Sequence, residues 1–399
     1  MVSTLSSKKE LKKVTNDPRI AWLLPSLEGG SYWHPLFKEF TKIFPQTIIY
    51  TGFWTGFAPG YENTFAIKVV GKTKFISTTQ SRESYSRGFI AVSPAIVVEI
   101  LKFKPQLIFV NGFSIWSLFA LILKPITKWR VILAVEGSSP NVDYRNSPIR
   151  LFLRRKMVQV ADALITNNQA GKSYLTDVLK AKPATVFAKP YEVPTSKAMS
   201  VVLKETQLNQ QELQRPIFLF VGQLIPRKGL HLLLEACSIL KQRGCCNYTL
   251  LVIGQGEDRE KLQDISQNYQ LEESVKWIGW VDYSRIGDYF QFSDVFILPT
   301  LEDTWGMVVL ESMAFGKPIL CSKWAGASEL VISGQNGYVF EPHNPQEIAD
   351  AMYRFISTPS LIKSMGKCSQ QIIAEHTPEA AAKFLAEVTH HTLERGYVP

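Results

Sequence analysis

The residues best suited to chemistry lie in one segment, LPTLEDTWGMVVLESMAFGKP, which ends at Pro318. Its apolar start, polar turn and second apolar stretch predict a strand, a turn and a helix that begins near Met307. The first amides of a helix lack intrahelical acceptors and lie at the positive end of the helix dipole, so they favour a diphosphate. The predicted diphosphate site uses the backbone amides of Gly306, Met307 and Val308.

Two carboxylates flank this predicted helix start. Asp303 comes just before it, and Glu311 lies one turn inside it. Carboxylates in these places can accept hydrogen bonds from the hydroxyl groups of a sugar and a ribose. A helix cap at Asp303 and a surface charge at Glu311 are the structural alternatives. Trp305 favours a binding site, because a large aromatic side chain in a polar turn needs an apolar neighbour or a ligand to cover it.

A second motif, FVGQLIPRKGL, predicts a strand that ends at Gly222, a turn with Arg227 and Lys228, and a helix opened by Gly229. Two cations beside a helix N-terminus suit a diphosphate, and Lys228 is its first predicted ligand. An ordinary basic surface loop explains this motif equally well. In the next motif, IGQGEDREKL, Gly254 would let the backbone approach a ligand closely, although glycines after strands are common in α/β proteins.

The elements that would position these residues alternate between strands and helices in both halves of the chain. Apolar runs such as RIAWLL, TIIY and RVILAV, and later PIFLFV, YTLLVI and VFIL, are separated by stretches with helical spacing. This alternation predicts α/β structure, with parallel sheets covered on both faces and ligands at the carboxyl ends of strands. The predicted organisation is a Rossmann-like domain at 1–195, a Gln-rich linker at 196–215, a second Rossmann-like domain at 216–375, and a helical segment at 376–399 that could pack back on the first domain.

The net charge of +9 is unevenly distributed along the chain. Residues 1–200 contain 27 Lys and Arg against 12 Asp and Glu, a balance of +15, whereas the remainder has 17 against 23, or −6. This asymmetry indicates that the N-terminal half faces an anionic partner, either membrane headgroups or a phosphate-bearing acceptor. A solvated face is the alternative for any one basic cluster. We expect no nucleic-acid partner, because no recognised binding module is evident and the charge is spread over many elements.

Several segments bear on membranes and on cellular location. PIRLFLRRKMVQV (148–160) predicts either a helix on an anionic membrane surface or a core helix with its charged face in water. The apolar stretch Ile115–Ile126 contains Lys124 and Pro125, and it predicts a buried helix rather than a membrane span. The first residues lack the apolar core of a secretory signal, so we expect a cytoplasmic protein, peripheral at the inner face of a membrane. The spacing of the five cysteines predicts reduced thiols and no metal site.

Five motifs in order resemble one known family, the retaining glycosyltransferases of GT-B fold called family 4. They are FVGQLIPRKG, LLVIGQGEDREKL, VKWIGWV, SDVFILPTLEDTWGMVVLESMAFGKPIL and GASELVISGQNGYVFEP. The resemblance covers residues 217–350 and, more loosely, the N-terminal half. It implies two Rossmann-like domains facing across a cleft, the first binding the acceptor and the second the nucleotide sugar. It also implies transfer from a UDP-sugar or GDP-sugar to a lipid-linked, polysaccharide or other glycan acceptor, without a metal or other cofactor.

The resemblance also implies roles for individual residues. Lys228 and the amides of 306–308 would hold the donor diphosphate, which would itself help to take the acceptor proton. Asp303 would contact the donor sugar, and Glu311 the nucleotide ribose. The backbone around Trp277 and Ile278 would read the base.

The sequence departs from the family pattern at three positions. Asp303 replaces the usual Glu and is one methylene shorter, but Glu302 beside it could partly substitute. Gln223 stands where an Arg is common, and Arg227 could compensate for the missing charge at the diphosphate. Glu136 ends the strand VILAVEG where many relatives have His, and it predicts either a ligand for acceptor or donor hydroxyls or a structural carboxylate at a strand end.

Two further points stay open at the level of sequence. Gly29 and Gly30 correspond to the family's glycine-rich loop near the transferred sugar, but a tight structural turn explains them nearly as well. The departures at Asp303 and Gln223 also permit a catalytically silent subunit that binds a nucleotide sugar. A Rossmann dehydrogenase is disfavoured, because no dinucleotide fingerprint of three glycines and a later acidic residue follows the first strand.

Overall fold

The computed structural model describes residues 17–27, 33–79, 87–139, 141–194 and 213–394. The predicted glycine-rich loop at Gly29 and Gly30 and most of the predicted linker lie outside these residues. All five cysteines are free thiols.

The N-terminal half forms a parallel seven-stranded sheet with the order β3-β2-β1-β6-β7-β8-β9. Its central strands are continuous apolar runs, such as IAWLL in β1, because helices cover both faces of the sheet. A separate antiparallel pair, β4 with β5, follows β3. The strands are β1 (Ile20–Leu24), β2 (Thr47–Thr51), β3 (Ala66–Val69), β4 (Lys74–Thr79), β5 (Arg87–Ala91), β6 (Leu107–Asn111), β7 (Arg130–Ala134), β8 (Ala163–Thr166) and β9 (Val186–Ala188).

The helices of this half follow the strands in alternation. Ser114 and Asn168 cap two of them through side-chain oxygens that accept amide hydrogen bonds, as helix starts require. The helices are α1 (Trp33–Ile43), α2 (Ile96–Phe103), α3 (Ile115–Thr127), α4 (Pro148–Val160) and α5 (Gln169–Ser173), the last running into a π-helical turn at Tyr174–Val178.

The C-terminal half repeats the plan with a parallel six-stranded sheet of order β12-β11-β10-β13-β14-β15. Its strands are β10 (Ile217–Val221), β11 (Thr249–Ile253), β12 (Val275–Gly279), β13 (Val295–Leu298), β14 (Ile319–Ser322) and β15 (Gly337–Phe340). Its helices are α6 (Leu230–Gln242), α7 (Arg259–Asn268), α8 (Ile286–Phe292), α9 (Met307–Ala314), α10 (Pro345–Ser357), α11 (Ser360–Ile373) and α12 (Pro378–Glu394). Two doubly wound α/β units are therefore present, as the sequence predicts.

The last helix, α12, packs on the N-terminal sheet rather than on the half that precedes it. It lies against α1, and the rings of Phe44 and His390 are 5.3 Å apart between centroids. The ring of His391 lies 5.5 Å from Phe187 in β9. Phe384 and Leu385 are buried in a core cluster shared with α1. The chain thus crosses from one half to the other twice, which couples the two halves mechanically.

One expectation about helix burial is wrong. The stretch Ile115–Ile126 is predicted as a buried helix, but α3 buries only the side that faces the sheet. Ile122 is 60% exposed and Ile126 is 81% exposed on its other side. A helix that covers one face of a sheet needs apolar residues on one side only, so the apolar outer side of α3 is an addition that the fold does not require.

The packing of α12 predicts a stability effect. Leu385→Ala removes a fully buried side chain, so the free energy of unfolding should fall by about 2–5 kcal/mol. The exposed neighbour Lys383 supplies the control, and Lys383→Ala should change it by less than about 0.5 kcal/mol. Urea unfolding measures both. Equal midpoints for the two variants would contradict the packing of α12 against α1.

Candidate functional site

Two loops at the carboxyl edge of the C-terminal sheet bring Lys228 and Asp303 together. Lys228 ends the short turn Pro226–Lys228 after β10, and Asp303 lies in the turn after β13. Because β10 and β13 are parallel neighbours, the loops that follow them meet at one edge. The Lys228 Nζ atom lies 2.6 Å from Asp303 Oδ2. The structure thus joins two predicted site residues 75 positions apart in sequence.

The charge of Asp303 is held by its neighbours. Burial alone would raise the pKa of this carboxyl group, but the cations of Lys228 and Arg227 and its hydrogen bonds keep the pKa below its ordinary value. The Trp305 amide donates to Asp303 Oδ1 at 3.3 Å. Asp303 is therefore an ionised, largely buried carboxylate at the floor of the site.

The helix start beside this pair has the geometry that the sequence predicts. Gly306 has a φ of 91° at the N-terminus of α9, a conformation that favours glycine. The carbonyl of Gly306 accepts the Val309 amide at 2.9 Å. Within the described residues, the amides of Gly306, Met307 and Val308 have no recorded acceptor, as expected for the first turn of a helix. Together with the Lys228 ammonium, these donors can bind an anionic group.

Glu311 is buried in the same helix, and its protonation is shifted. Burial raises the pKa of Glu311 to about 7, and the hydroxyl of Tyr283, which donates to its Oε1 at 2.8 Å, partly opposes that shift. Tyr283 lies in the turn Tyr283–Arg285 between β12 and α8. The sequence does not point to Tyr283, because nothing in the local pattern links it to a residue 28 positions away.

Other predicted donor-site residues line the same strand ends. A Cβ atom at Gly254 would lie 1.8 Å from the Gly222 carbonyl oxygen, so only glycine allows the ends of β10 and β11 to approach this closely. Trp277 and Ile278 are half-buried in the edge strand β12, and Gln223 is exposed. These residues stay predicted ligands.

Two of the predicted donor ligands make contacts within the protein. The Nη1 atom of the buried Arg227 donates to the Glu302 carbonyl oxygen at 2.7 Å. The Glu302 carboxylate accepts hydrogen bonds from the Ser139 hydroxyl and from the Asn141 amide, the latter at 3.0 Å. Glu302 therefore links the turn after β13 to the N-terminal half, a role that the sequence does not predict.

Trp305 makes a second tie between the halves. Its indole Nε1 donates to the Glu192 carbonyl oxygen at 3.0 Å, and its ring is buried in the core. The side chain of Trp305 is thus covered by other residues of the protein, so its position in a polar turn does not require a ligand. Asn168 adds a third tie by donating from Nδ2 to the Thr304 carbonyl oxygen at 3.1 Å.

The opposite wall of the cleft carries two more carboxyl groups. Glu136 follows β7, and burial together with the charge of Asp303 raises its pKa. Glu192 is buried in the segment after β9, and burial together with the charge of Glu136 raises its pKa well above its usual range. The Glu192 Oε1 atom has no hydrogen-bond partner among the described residues. Glu192 was missed by sequence reasoning because it stands alone in the segment KPYEVP.

The described residues contain neither a metal-binding cluster nor a membrane-spanning helix. No group of three or more His, Cys, Asp or Glu side chains among them could hold a metal ion. None of the helices that the structure describes is both long and apolar enough to cross a bilayer.

The two sheets and the cleft between their halves define the class of fold. It is the GT-B fold, in which two Rossmann-like domains face each other. The structure of HepE from Anabaena, in complex with UDP and glucose, matches with a TM-score of 0.69 over 94% of this chain and 99% of that chain. The sequence identity is 17%, so this likeness shows the fold alone.

The family comparison concerns mainly the C-terminal half. Residues 204–372, less than half of the chain, match the family model described as glycosyl transferases group 1. An uncharacterised glycosyltransferase of Haemophilus influenzae is 26% identical over 56% of this chain. The D-inositol 3-phosphate glycosyltransferase of Corynebacterium urealyticum is 25% identical over 62% of this chain. In both cases the chain spans 60% of the relative's length.

The raised pKa of Glu311 predicts a pH-dependent stability. Such a group stabilises the fold below its ordinary pKa, and this contribution is lost as the pH rises through about 7. Glu311→Gln mimics the protonated carboxyl group. It should therefore raise the free energy of unfolding by about 3 kcal/mol at about pH 8, but by no more than about 1 kcal/mol at about pH 5.

Urea unfolding at both pH values measures this difference, with the exposed Glu387→Gln as the control. An equal effect of Glu311→Gln at both pH values would show that this carboxyl group is not held protonated by burial.

Proposed function

We propose that the protein is a glycosyltransferase that moves a sugar from a nucleotide-diphosphate donor, a UDP-sugar or GDP-sugar, to an acceptor hydroxyl with retention of configuration. The observation that carries the proposal is the junction of the Lys228 and Asp303 side chains, 2.6 Å apart, beside the amides that begin α9. A cation, free helix amides and a carboxylate at one point suit the diphosphate and the sugar of such a donor. The family match of residues 204–372 supports it.

The donor groups would divide among the residues of the C-terminal half. The Lys228 ammonium and the amides of 306–308 would bind the diphosphate. Lys228 would then interact with both the diphosphate and the Asp303 carboxylate. Asp303 would accept a hydrogen bond from a sugar hydroxyl. Glu311 would bind the ribose, since its carboxyl group can accept or donate a hydrogen bond when its pKa lies near neutrality.

The proposed reaction needs no cofactor. The bond between the sugar anomeric carbon and the diphosphate oxygen breaks, and the acceptor oxygen forms a bond to that carbon on the same face. The acceptor proton passes to the departing diphosphate. Lys228 and the helix amides would stabilise the negative charge that develops on this leaving group. Glu136, on the opposite wall, would bind hydroxyls of the acceptor or of the donor sugar.

The acceptor would bind on the N-terminal side of the cleft. It would be a lipid-linked molecule, a polysaccharide or another glycan. The balance of +15 over residues 1–200 supports an anionic surface as partner, and we assign the protein to the inner face of a membrane as a peripheral enzyme.

Thermal stabilisation by UDP, GDP, ADP and their sugars tests donor binding, since a ligand that binds the folded state raises its stability. We expect one nucleotide to raise the melting temperature. Lys228→Ala and Glu311→Ala should each weaken its binding about tenfold or more, the cost of about one charged hydrogen bond. The exposed Lys363→Ala should not weaken it. Unchanged affinity in both site variants would refute the assignment of the donor site.

Turnover separates the enzyme from a silent binding subunit. The matching nucleotide sugar should be hydrolysed slowly or transferred by the wild-type protein, and Asp303→Asn should lower this rate more than it lowers nucleotide affinity. Binding without any turnover of any sugar would favour the silent subunit.

A further inference from the structure

A cavity of about 590 Å³ lies at the carboxyl edge of the N-terminal sheet. It is bounded by the residues after β6 and β7 and by α3 and α4. Glu136 and Thr304, which come from opposite halves of the chain, both line it. The cavity therefore reaches the cleft in which the donor site lies.

The lining of this cavity is mostly apolar. It includes Phe75, Phe113, Leu118, Val135, Leu153 and Met157. Phe75, Leu118 and Leu153 are also exposed to solvent, so the apolar lining continues onto the outer surface. The cavity thus combines the carboxyl group of Glu136 with an apolar lining that continues to the solvent-exposed surface.

The exposed apolar lining is extended by the outer sides of two helices. In α3, the exposed residues Ile115, Leu118, Ile122 and Ile126 recur at intervals of three and four, so they form one side of the helix. In α4, Ile149 is 75% exposed and Phe152 is 59% exposed. The two helices are in contact with each other. Large apolar side chains exposed together on two helices that touch each other are typical of a site of interaction.

Basic residues accompany the exposed apolar lining. Helix α4 carries Arg150, Arg154, Arg155 and Lys156 and no acidic residue. The Arg150 guanidinium lies 3.9 Å from the centre of the Tyr144 ring, and both residues line the cavity. Arg150 takes part in none of the ion pairs among the described residues, whereas Arg154 donates to the backbone oxygens of residues 142 and 143. A guanidinium held on a ring beside an apolar cavity can bind a phosphate.

From these features we propose that the cavity is the acceptor site for an anionic amphiphile, a lipid with a phosphate or similar group, which the protein takes from a bilayer. Arg150 binds the anionic group, the chain lies along the apolar lining, and the acceptor hydroxyl lies at the Glu136 end. The outer sides of α3 and α4 contact the bilayer. This inference rests on the proposed function and narrows its acceptor to one class.

The cavity suits a lipid better than a free glycan for a physical reason. A glycan needs a hydrogen-bond partner for most of its hydroxyl groups, and burying them against Phe113, Leu118 and Met157 would leave them unpaired at a cost. An alkyl chain gains free energy from the same contact. The exposed apolar residues also match a bilayer, whose anionic headgroups complement the cations of α4.

Vesicle flotation tests the bilayer contact. We expect the protein to float with vesicles of phosphatidylcholine and about 30% phosphatidylglycerol more than with phosphatidylcholine alone. The double variant Ile122→Asp with Ile126→Asp changes two exposed side chains, so it should fold, and it should bind these vesicles at least about tenfold more weakly. Ile332→Asp, at an exposed position of the C-terminal half, is the matched control and should bind like the wild type. Unchanged flotation of the double variant would overturn the proposal.

Thermal stabilisation tests the cavity itself. Decyl phosphate should stabilise the protein more than inorganic phosphate or decanol, because it offers both the charge and the chain. Arg150→Ala should weaken its binding about tenfold, whereas Arg243→Ala, which removes a cation of the C-terminal half, should not. Equal stabilisation by inorganic phosphate, or stronger stabilisation by a soluble oligosaccharide such as maltoheptaose, would overturn the proposal.

Nucleotide stabilisation, measured on the same variants, separates the two levels of inference. The double variant Ile122→Asp with Ile126→Asp and the variant Arg150→Ala change residues outside the donor site. Nucleotides should therefore stabilise both variants as they stabilise the wild type. If nucleotides stabilise the protein but decyl phosphate and vesicles do not bind, the lipid acceptor is wrong and the glycosyltransferase proposal stands. If no nucleotide binds, the proposed function itself fails.

Discussion

The turn at 300–305 holds the two walls of the cleft together. Its Glu302 carboxylate is held by Ser139 and Asn141 of the N-terminal half, and its Glu302 carbonyl by Arg227 of the C-terminal half. The same turn places Asp303 against Lys228 and leads directly into α9. One short segment therefore sets both the docking of the two halves and the geometry of the proposed donor site. A shift of this turn would move both at once.

This arrangement concentrates charge where burial is expensive. Glu311, Glu136 and Glu192 all have raised pKa values because of burial, whereas Lys228 keeps Asp303 ionised. A fold selected for stability alone would replace such groups with apolar side chains. Perturbed carboxyl groups on both walls of one cleft are instead typical of a functional site, where binding or catalysis offsets their cost.

The two halves of the chain differ in charge, with a balance of +15 over residues 1–200 and −6 over the remainder. The acidic C-terminal half places two cations, Arg227 and Lys228, in the turn after β10, where Lys228 contacts Asp303. In the basic N-terminal half, helix α4 carries four cations and exposes the apolar side chains of Ile149 and Phe152 beside them. In the proposed function, a water-soluble donor would bind the C-terminal wall of the cleft. An acceptor presented at a charged, apolar surface would bind the N-terminal wall.

Local patterns in the sequence predict the two α/β halves, the helix start at Gly306 and the candidate site residues Lys228, Asp303 and Glu311, because strands, turn glycines and helix starts are encoded locally. Which distant residues meet depends on how these elements pack. Tyr283 donates a hydrogen bond to Glu311, and Glu192 lies near Glu136. Both contacts depend on the order of the strands in the sheets, which local periodicity does not encode. The exposure of the outer side of α3 also could not be predicted from the sequence, because an apolar run predicts burial. The packing of the helix on the sheet decides which of its sides stays uncovered.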